Sequence, residues 1–135
     1  MVKNSLVEAD VLAGKRLVTA LSVPPYSSVF KLQAAFWLYD HESQEWRLFL
    51  ATPLVDEFGS LAAYTNLQQP LRSIQPTDLS LENISVSSPR KPLVKAIKRG
   101  SRIANGAEGI RLTRNTIGGI YIEDAYVYKL PLSMV

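Results

Sequence analysis

The chain has 135 residues, of which 47% are apolar and 20% charged, a composition that suits one domain with a single core and disfavours disorder. It has no cysteine, so disulfides and thiolate metal sites are excluded. It has one histidine, so most acid–base and metal-binding chemistry that uses histidine is disfavoured. No apolar run could cross a bilayer, and residues 1–10 lack the apolar core of a signal peptide, so we expect neither a membrane-spanning segment nor a membrane partner.

The formal charge of +3 is unevenly distributed along the chain. Residues 1–89 carry six basic and nine acidic side chains, whereas residues 90–135 carry nine basic and three acidic ones. A basic segment of this kind attracts phosphate backbones or acidic protein surfaces. The candidate binding residues are Arg90, Lys91, Lys95, Lys98, Arg99, Arg102, Arg111 and Arg114.

A capping box predicts the start of the first helix. Ser5 and Glu8 have the S-x-x-E spacing in which each side chain satisfies a backbone donor of the other residue. Apolar residues then recur at helical spacing until Pro24 ends the pattern. We therefore predict a helix over residues 6–22, in which Gly14 costs about 1 kcal/mol relative to alanine.

Two apolar and aromatic segments, 29–39 and 45–55, flank the polar residues 40–44, a pattern typical of a β-hairpin. The first segment is apolar on both faces over residues 34–39, so we expect a central strand that helices cover. The register of the hairpin stays open, because a four-residue and a five-residue turn would pair different side chains.

A second helix is predicted from the apolar spacing between Leu61 and Ile74. Pro70 lies inside this pattern and should kink or end the helix, because proline removes a backbone donor and crowds the preceding turn. Residues 82–88 alternate in polarity and predict a short strand.

The third predicted helix carries most of the basic residues. Ser88 is a suitable N-cap with Pro89 in the first turn, and the helix should run to Arg99 and close at Gly100.

A flexible loop over residues 100–109 is then expected, followed by a last hairpin. Its strands are predicted over residues 110–114 and 120–130, with a turn at residues 115–119. The resulting order α-β-β-α-β-α-β-β, without a repeat or linker, argues for a single α+β domain over residues 1–135. We expect three helices and a mostly antiparallel or mixed sheet of about five strands.

Acidic residues offer one possible catalytic site. Glu123 or Asp124 could join Asp56, Glu57 or Glu82 to hold a magnesium ion, as phosphodiester cleavage requires. Successive strand residues face opposite sides, so the first two could act together only across a bulge, and no (Asp/Glu)-x-Lys triplet of the restriction-nuclease type occurs. We interpret these acids as solvent-facing residues of an edge strand, and predict no metal and no cofactor.

Other catalytic signals are weak. His41 lies at the hairpin tip, and the S-x-x-K spacing of Ser28 and Lys31 has no companion motif. Phosphate-binding glycine loops are absent from the sequence. We therefore assign no catalytic residue, and the balance is against an enzyme.

Aromatic residues concentrate in the first hairpin. An exposed cluster could stack on nucleic-acid bases, but strands covered on both faces would make these side chains part of the core, which we favour. The cluster consists of Phe36, Trp37, Tyr39, Trp46 and Phe49.

Four segments carry a resemblance to known sequences: FWLYD (36–40), EWRL (45–48), ATPLVD (51–56) and NTIGGIYIEDA (115–125). With them the chain resembles a family of small bacterial proteins of unknown function and similar length. The resemblance covers most of the chain and implies one domain in a bacterial cytoplasm, but no activity, ligand or catalytic residue.

Two functions follow as expectations. The first is a non-catalytic binding or interaction module, whose partner is another protein or a second copy of the chain in a homo-oligomer. The alternative is a nucleic-acid-binding protein or metal-dependent nuclease that uses the basic segment 90–114.

Overall fold

Helices and strands alternate along most of the chain in a computed structural model that describes residues 4–77, 79–103 and 109–130. The helices are α1 (Glu8–Leu21), α2 (Ser27–Phe30), α3 (Leu54–Phe58), α4 (Ser60–Ser73) and α5 (Pro92–Ile103). The strands are β1 (Ala34–Asp40), β2 (Glu45–Ala51), β3 (Ile84–Ser87), β4 (Gly109–Ile117) and β5 (Ile120–Tyr128). The predicted α+β class is confirmed, and the short helices α2 and α3 add to the three that were predicted.

The five strands form one mixed sheet in the order β3-β2-β1-β5-β4. β2 and β3 are parallel and the other neighbours antiparallel, with β1 at the centre as predicted. Asp40 pairs with Glu45, so a four-residue turn closes the first hairpin and the open question of its register is answered.

α1 and α4 cover one face of the sheet. The core on this side joins Leu17 of α1 and Leu67 of α4 to side chains of the strands. The strand residues are Ala35, Trp37, Trp46, Leu48, Leu50, Ile84, Val86 and Tyr128.

α5 covers the other face, over β1, β5 and β4. Val94 and Ile97 of the helix are fully buried against a second core that contains Phe36, Ile122 and Val127. Because helices cover both faces of β1, the central aromatic side chains of the hairpin belong to the core, as favoured above. None of the helices within the described ranges has the length and apolar character needed to cross a membrane.

The ends of several elements differ from the sequence prediction. α1 begins at Glu8, and the backbone N–H of Val7 donates to the Asp10 carboxylate at 3.1 Å, so the predicted capping box of Ser5 and Glu8 does not form. β1 begins only at Ala34, because the preceding residues form α2 and the turn that follows it. β2 ends at Ala51, so the rest of the predicted strand is not extended.

Proline 70 does not end α4, which continues to Ser73. Leu67 and Leu71 are buried on either side of the proline, so packing against the sheet holds the helical turns together despite the missing backbone donor. β3 agrees with the predicted strand but covers only its middle.

α5 begins and ends about one turn later than predicted. The hydroxyl of Ser88 donates to Asp56 at 2.8 Å and accepts the backbone N–H of Arg90, and the helix itself starts at Pro92. The helix also continues past Gly100, which is buried where a Cβ would lie 2.6 Å from Ile117 Cδ1. Of the predicted loop after the helix, residues 104–108 lie outside the described residues.

The last hairpin contains a change of face. Its turn is only Gly118-Gly119, both with positive φ, so β4 continues to Ile117, past its predicted end at residue 114. β5 begins at residue 120 as predicted and ends at Tyr128, two residues earlier than predicted. Leu112 and Ile117 both pack under α5, although residues five apart on a regular strand face opposite sides. Arg114, with φ 44°, lies between them and shifts the alternation of side chains.

A close approach of α1 to the sheet fixes how these two layers pack. The Tyr128 hydroxyl accepts the Trp37 indole N–H at 2.9 Å and donates to the Val11 carbonyl at 2.7 Å. Burial raises the pKa of this hydroxyl well above its usual range. Gly14 faces the pair: a Cβ there would overlap Tyr128 Oη and lie 3.0 Å from Trp37 Nε1.

Gly14→Ala is therefore expected to lower the free energy of unfolding by about 1–3 kcal/mol, the usual cost of overpacking. Helix propensity alone would predict a gain of about 1 kcal/mol. Urea unfolding followed by circular dichroism distinguishes the two signs.

A thermodynamic cycle with Tyr128→Phe checks the cause. Removing the hydroxyl relieves the overlap, so this substitution should cost less in the Gly14→Ala background than in the native chain. Tyr121→Phe, at an exposed position, is the matched control and should give equal costs in both backgrounds. Equal costs for Tyr128→Phe would contradict the proposed overlap.

Candidate functional site

α5 separates its apolar and basic residues onto opposite sides. The inward side carries Val94, Ala96 and Ile97, which are buried in the core described above. With 3.6 residues per turn, the remaining positions place five cations on one outward face about 100° wide. This basic face consists of Lys95, Lys98, Arg99 and Arg102 of α5 and of Lys91, which directly precedes the helix and whose carbonyl accepts the Lys95 N–H at 3.1 Å.

The basic face is a row of charges that have no acidic partner in the part of the chain that the structure describes. From Lys91 to Arg102 it extends for about 17 Å along the helix axis, with five cations in about three turns. Among the residues that the structure describes, no carboxylate lies within ion-pair distance of these five side chains. The charge therefore remains available to a partner.

A small pocket opens beside the C-terminal half of α5, where β1 begins and β5 ends. Its volume is about 270 Å³, and Lys98 and Arg102 of the basic face line it together with Lys129. Apolar side chains such as Ala34 and Val127 form its floor. Sequence reasoning missed Lys129, because only the tertiary structure brings the end of β5 next to α5.

Arg90 lies just before the helix. It is exposed, and its backbone N–H is held by Ser88, whose hydroxyl in turn donates to Asp56. This residue extends the basic segment beyond the N-terminus of α5.

Arg111 and Arg114 do not join the basic face. Arg111 forms two hydrogen bonds to Asp124, of 2.6 and 2.8 Å, and its guanidinium lies 5.5 Å from the centre of the Trp46 ring. Hydrogen bonding to Asp124 raises the pKa of Arg111. Since Trp46 belongs to the core under α1 and α4, Arg111 lies across the sheet from α5.

The same side of the sheet has a cleft of about 500 Å³ in which Glu123 and Asp124 meet. Arg114 also lines this cleft. Its left-handed backbone interrupts the alternation of side chains between the two faces of the sheet, so that the adjacent Glu123 and Asp124 both line the same cleft. β5 lies between β1 and β4, so the expectation of acids on an edge strand is wrong: the edge strands of this sheet are β3 and β4.

The other acids considered above lie elsewhere. Asp56 accepts the Ser88 hydroxyl, Glu57 is exposed on α3 and Glu82 belongs to the 3₁₀ helix before β3. Within residues 4–77, 79–103 and 109–130, no three Asp, Glu or His side chains come close enough together to hold a metal ion.

The two weak motifs are surface features. His41 is exposed in the turn between β1 and β2. The Ser28 hydroxyl donates to the Pro25 carbonyl at 3.3 Å, and Lys31 is exposed in a left-handed conformation after α2. Neither arrangement prepares a nucleophile or a base.

Comparison of the chain with protein-family models, curated proteins and solved structures gives no match. The geometry of its own residues is therefore the basis for assigning a function.

The ion pair of Arg111 and Asp124 predicts a measurable coupling. In a double-mutant cycle of Arg111→Gln and Asp124→Asn, we expect a coupling of about 0.5–1 kcal/mol in the free energy of unfolding, since both side chains are partly exposed. The coupling should fall as salt is added.

Arg47 and Glu45 provide a matched pair for comparison. Arg47 Nη1 lies 3.6 Å from Glu45 Oε1. A double-mutant cycle of Arg47→Gln and Glu45→Gln should therefore give a smaller coupling in the free energy of unfolding. A zero coupling between Arg111 and Asp124 would mean that Arg111 is as free as the cations of α5.

Proposed function

We propose that this protein is a non-catalytic binding module whose basic face on α5 binds the phosphate backbone of a nucleic acid. The observation that carries the proposal is the row of five cations on one side of α5, without a carboxylate partner among the described residues. Lysine and arginine side chains bind such backbones by displacing condensed counterions.

The linear arrangement favours a linear polyanion over an acidic protein surface. Five cations follow the axis of α5 over about three helical turns, with a mean rise of about 4 Å from one to the next. A phosphate backbone also presents its charges in a row, whereas the carboxylates of a folded protein are scattered and interspersed with other groups. The apolar side of α5 is occupied by the core, so the helix is held rigidly with its charges outward.

The nuclease alternative has less support. Glu123 and Asp124 are the acids that share an opening, but their cleft lies on the side of the sheet opposite α5. A phosphate backbone bound along α5 would therefore not reach them. Binding without cleavage is the function that this geometry favours.

The setting and assembly of the protein are further parts of the proposal. The resemblance to small bacterial proteins supports a bacterial cytoplasmic setting. β4 is a nine-residue edge strand, whose outer backbone groups could pair with β4 of a second copy.

Nucleic-acid binding is tested by fluorescence anisotropy with labelled single-stranded and double-stranded DNA and RNA. For the native chain we expect binding that weakens steeply with salt. The variant Lys91→Gln, Lys95→Gln, Arg99→Gln should bind all sequences more weakly, with a salt slope reduced by up to about three units.

A variant with the same loss of charge elsewhere is the control. Arg16→Gln, Lys31→Gln, Arg72→Gln removes exposed cations from the α1, α2 and α4 side of the sheet and should retain nearly native affinity. If both variants lose affinity equally, net charge rather than the basic face is responsible. Absence of binding by the native chain at low salt would refute the proposal.

Self-association is tested by light scattering across a range of protein concentrations. Pairing through β4 predicts a mass near twice the 15.0 kDa of one chain at high concentration. A constant monomer mass would refute this part of the proposal without affecting the nucleic-acid test.

A further inference from the structure

The pocket beside α5 differs in chemistry from the basic face that it adjoins. Four of the five side chains of the basic face are exposed and Lys98 is half-buried, whereas the pocket has a cationic rim and an apolar floor. Lys98, Arg102 and Lys129 form the rim, and no carboxylate of the described residues pairs with them.

Small side chains create the space under α5. Ala34 is the first residue of β1 and faces the helix, and it pairs with Ala51 on the neighbouring strand β2. Ile97 closes the inner side of the pocket and is fully buried, whereas Ser101 turns its hydroxyl to the Lys98 carbonyl at 2.9 Å. The floor thus offers apolar contact but few groups for hydrogen bonding.

We infer that this pocket binds a small organic anion, one that has an apolar body and a carboxylate or phosphate head group. The apolar body would lie on Ala34, Ile110 and Val127, and the head group would meet the three cations at the rim. Charge-assisted hydrogen bonds from lysine and arginine suit either head group. The volume of about 270 Å³ is below the roughly 300–1,000 Å³ of pockets for drug-sized ligands, so the ligand is smaller than those.

Isothermal titration calorimetry with defined probes tests both parts of this ligand chemistry. Octanoate and octyl phosphate should bind, and the stronger of the two identifies the preferred head group. Octanol, which lacks the charge, and inorganic phosphate, which lacks the apolar body, should each bind at least about tenfold more weakly. Equal binding of inorganic phosphate and octyl phosphate, or of octanol and octanoate, would overturn the inference.

Substitution of two lysines, one in each variant, distinguishes binding in the pocket from binding to the basic face. Lys129→Gln should weaken octanoate or octyl phosphate binding by about tenfold and leave nucleic-acid affinity close to native. Lys95→Gln, on the basic face and outside the pocket, should have the opposite pattern. An equal loss of small-anion affinity in both variants would place the anion on the outer face of α5 instead.

Filling the pocket provides a test that keeps every charge. Ser101→Leu should abolish small-anion binding while circular dichroism shows an unchanged fold, and retention of binding in a folded variant would overturn the inference. The outcome is independent of the proposed function. If the chain binds octanoate but no nucleic acid, the proposed function is refuted and this site is supported. If the chain binds nucleic acid but not octanoate, the proposed function is supported and this site is refuted.

Discussion

Burial of β1 on both faces is the constraint on which the rest of the structure depends. Phe36 and Trp37 are adjacent in the strand, face opposite sides and are both fully buried, so each face needs its own layer of helices. α1 and α4 supply one layer and α5 the other. The three-layer arrangement follows from this one strand, because apolar side chains on both faces of a sheet cannot be left in water.

The same constraint decides where the positive charge lies. The apolar residues of α5 occupy only one side of the helix, and that side is buried in the second core. Its lysines and arginines must then face solvent in a row, which turns a basic stretch of sequence into a directional surface. Because the helix crosses near the beginning of β1 and the end of β5, the row also ends beside a pocket.

Two local departures from regular geometry shape the remaining surface. Gly14 lets α1 approach Trp37 and Tyr128 closely enough for a buried hydrogen-bonded pair, so the residue that helix propensity disfavours is required by packing. Arg114 breaks the alternation of the last hairpin, and the break lets Glu123 and Asp124 share a cleft that regular strands would not form. Both effects place side chains in ways that depend on contacts between distant parts of the chain.

The sequence by itself determined the α+β class, the central hairpin and the amphipathic third helix, because hydrophobic periodicity and turn residues act over short distances. Most errors of the sequence prediction concern the ends of elements, as at Ser88 and Pro70, where a hydrogen bond to Asp56 or burial of neighbouring leucines outweighs local preference. Of the eight basic residues that the sequence analysis selected as candidates, those on α5 share one face, which their spacing in the sequence already predicts. Only the tertiary structure could remove Arg111 and Arg114 from that surface and add Lys129 to its end. Strand order and the pairing of distant segments decide which side of the sheet a residue occupies, and those contacts leave no short-range pattern in the sequence.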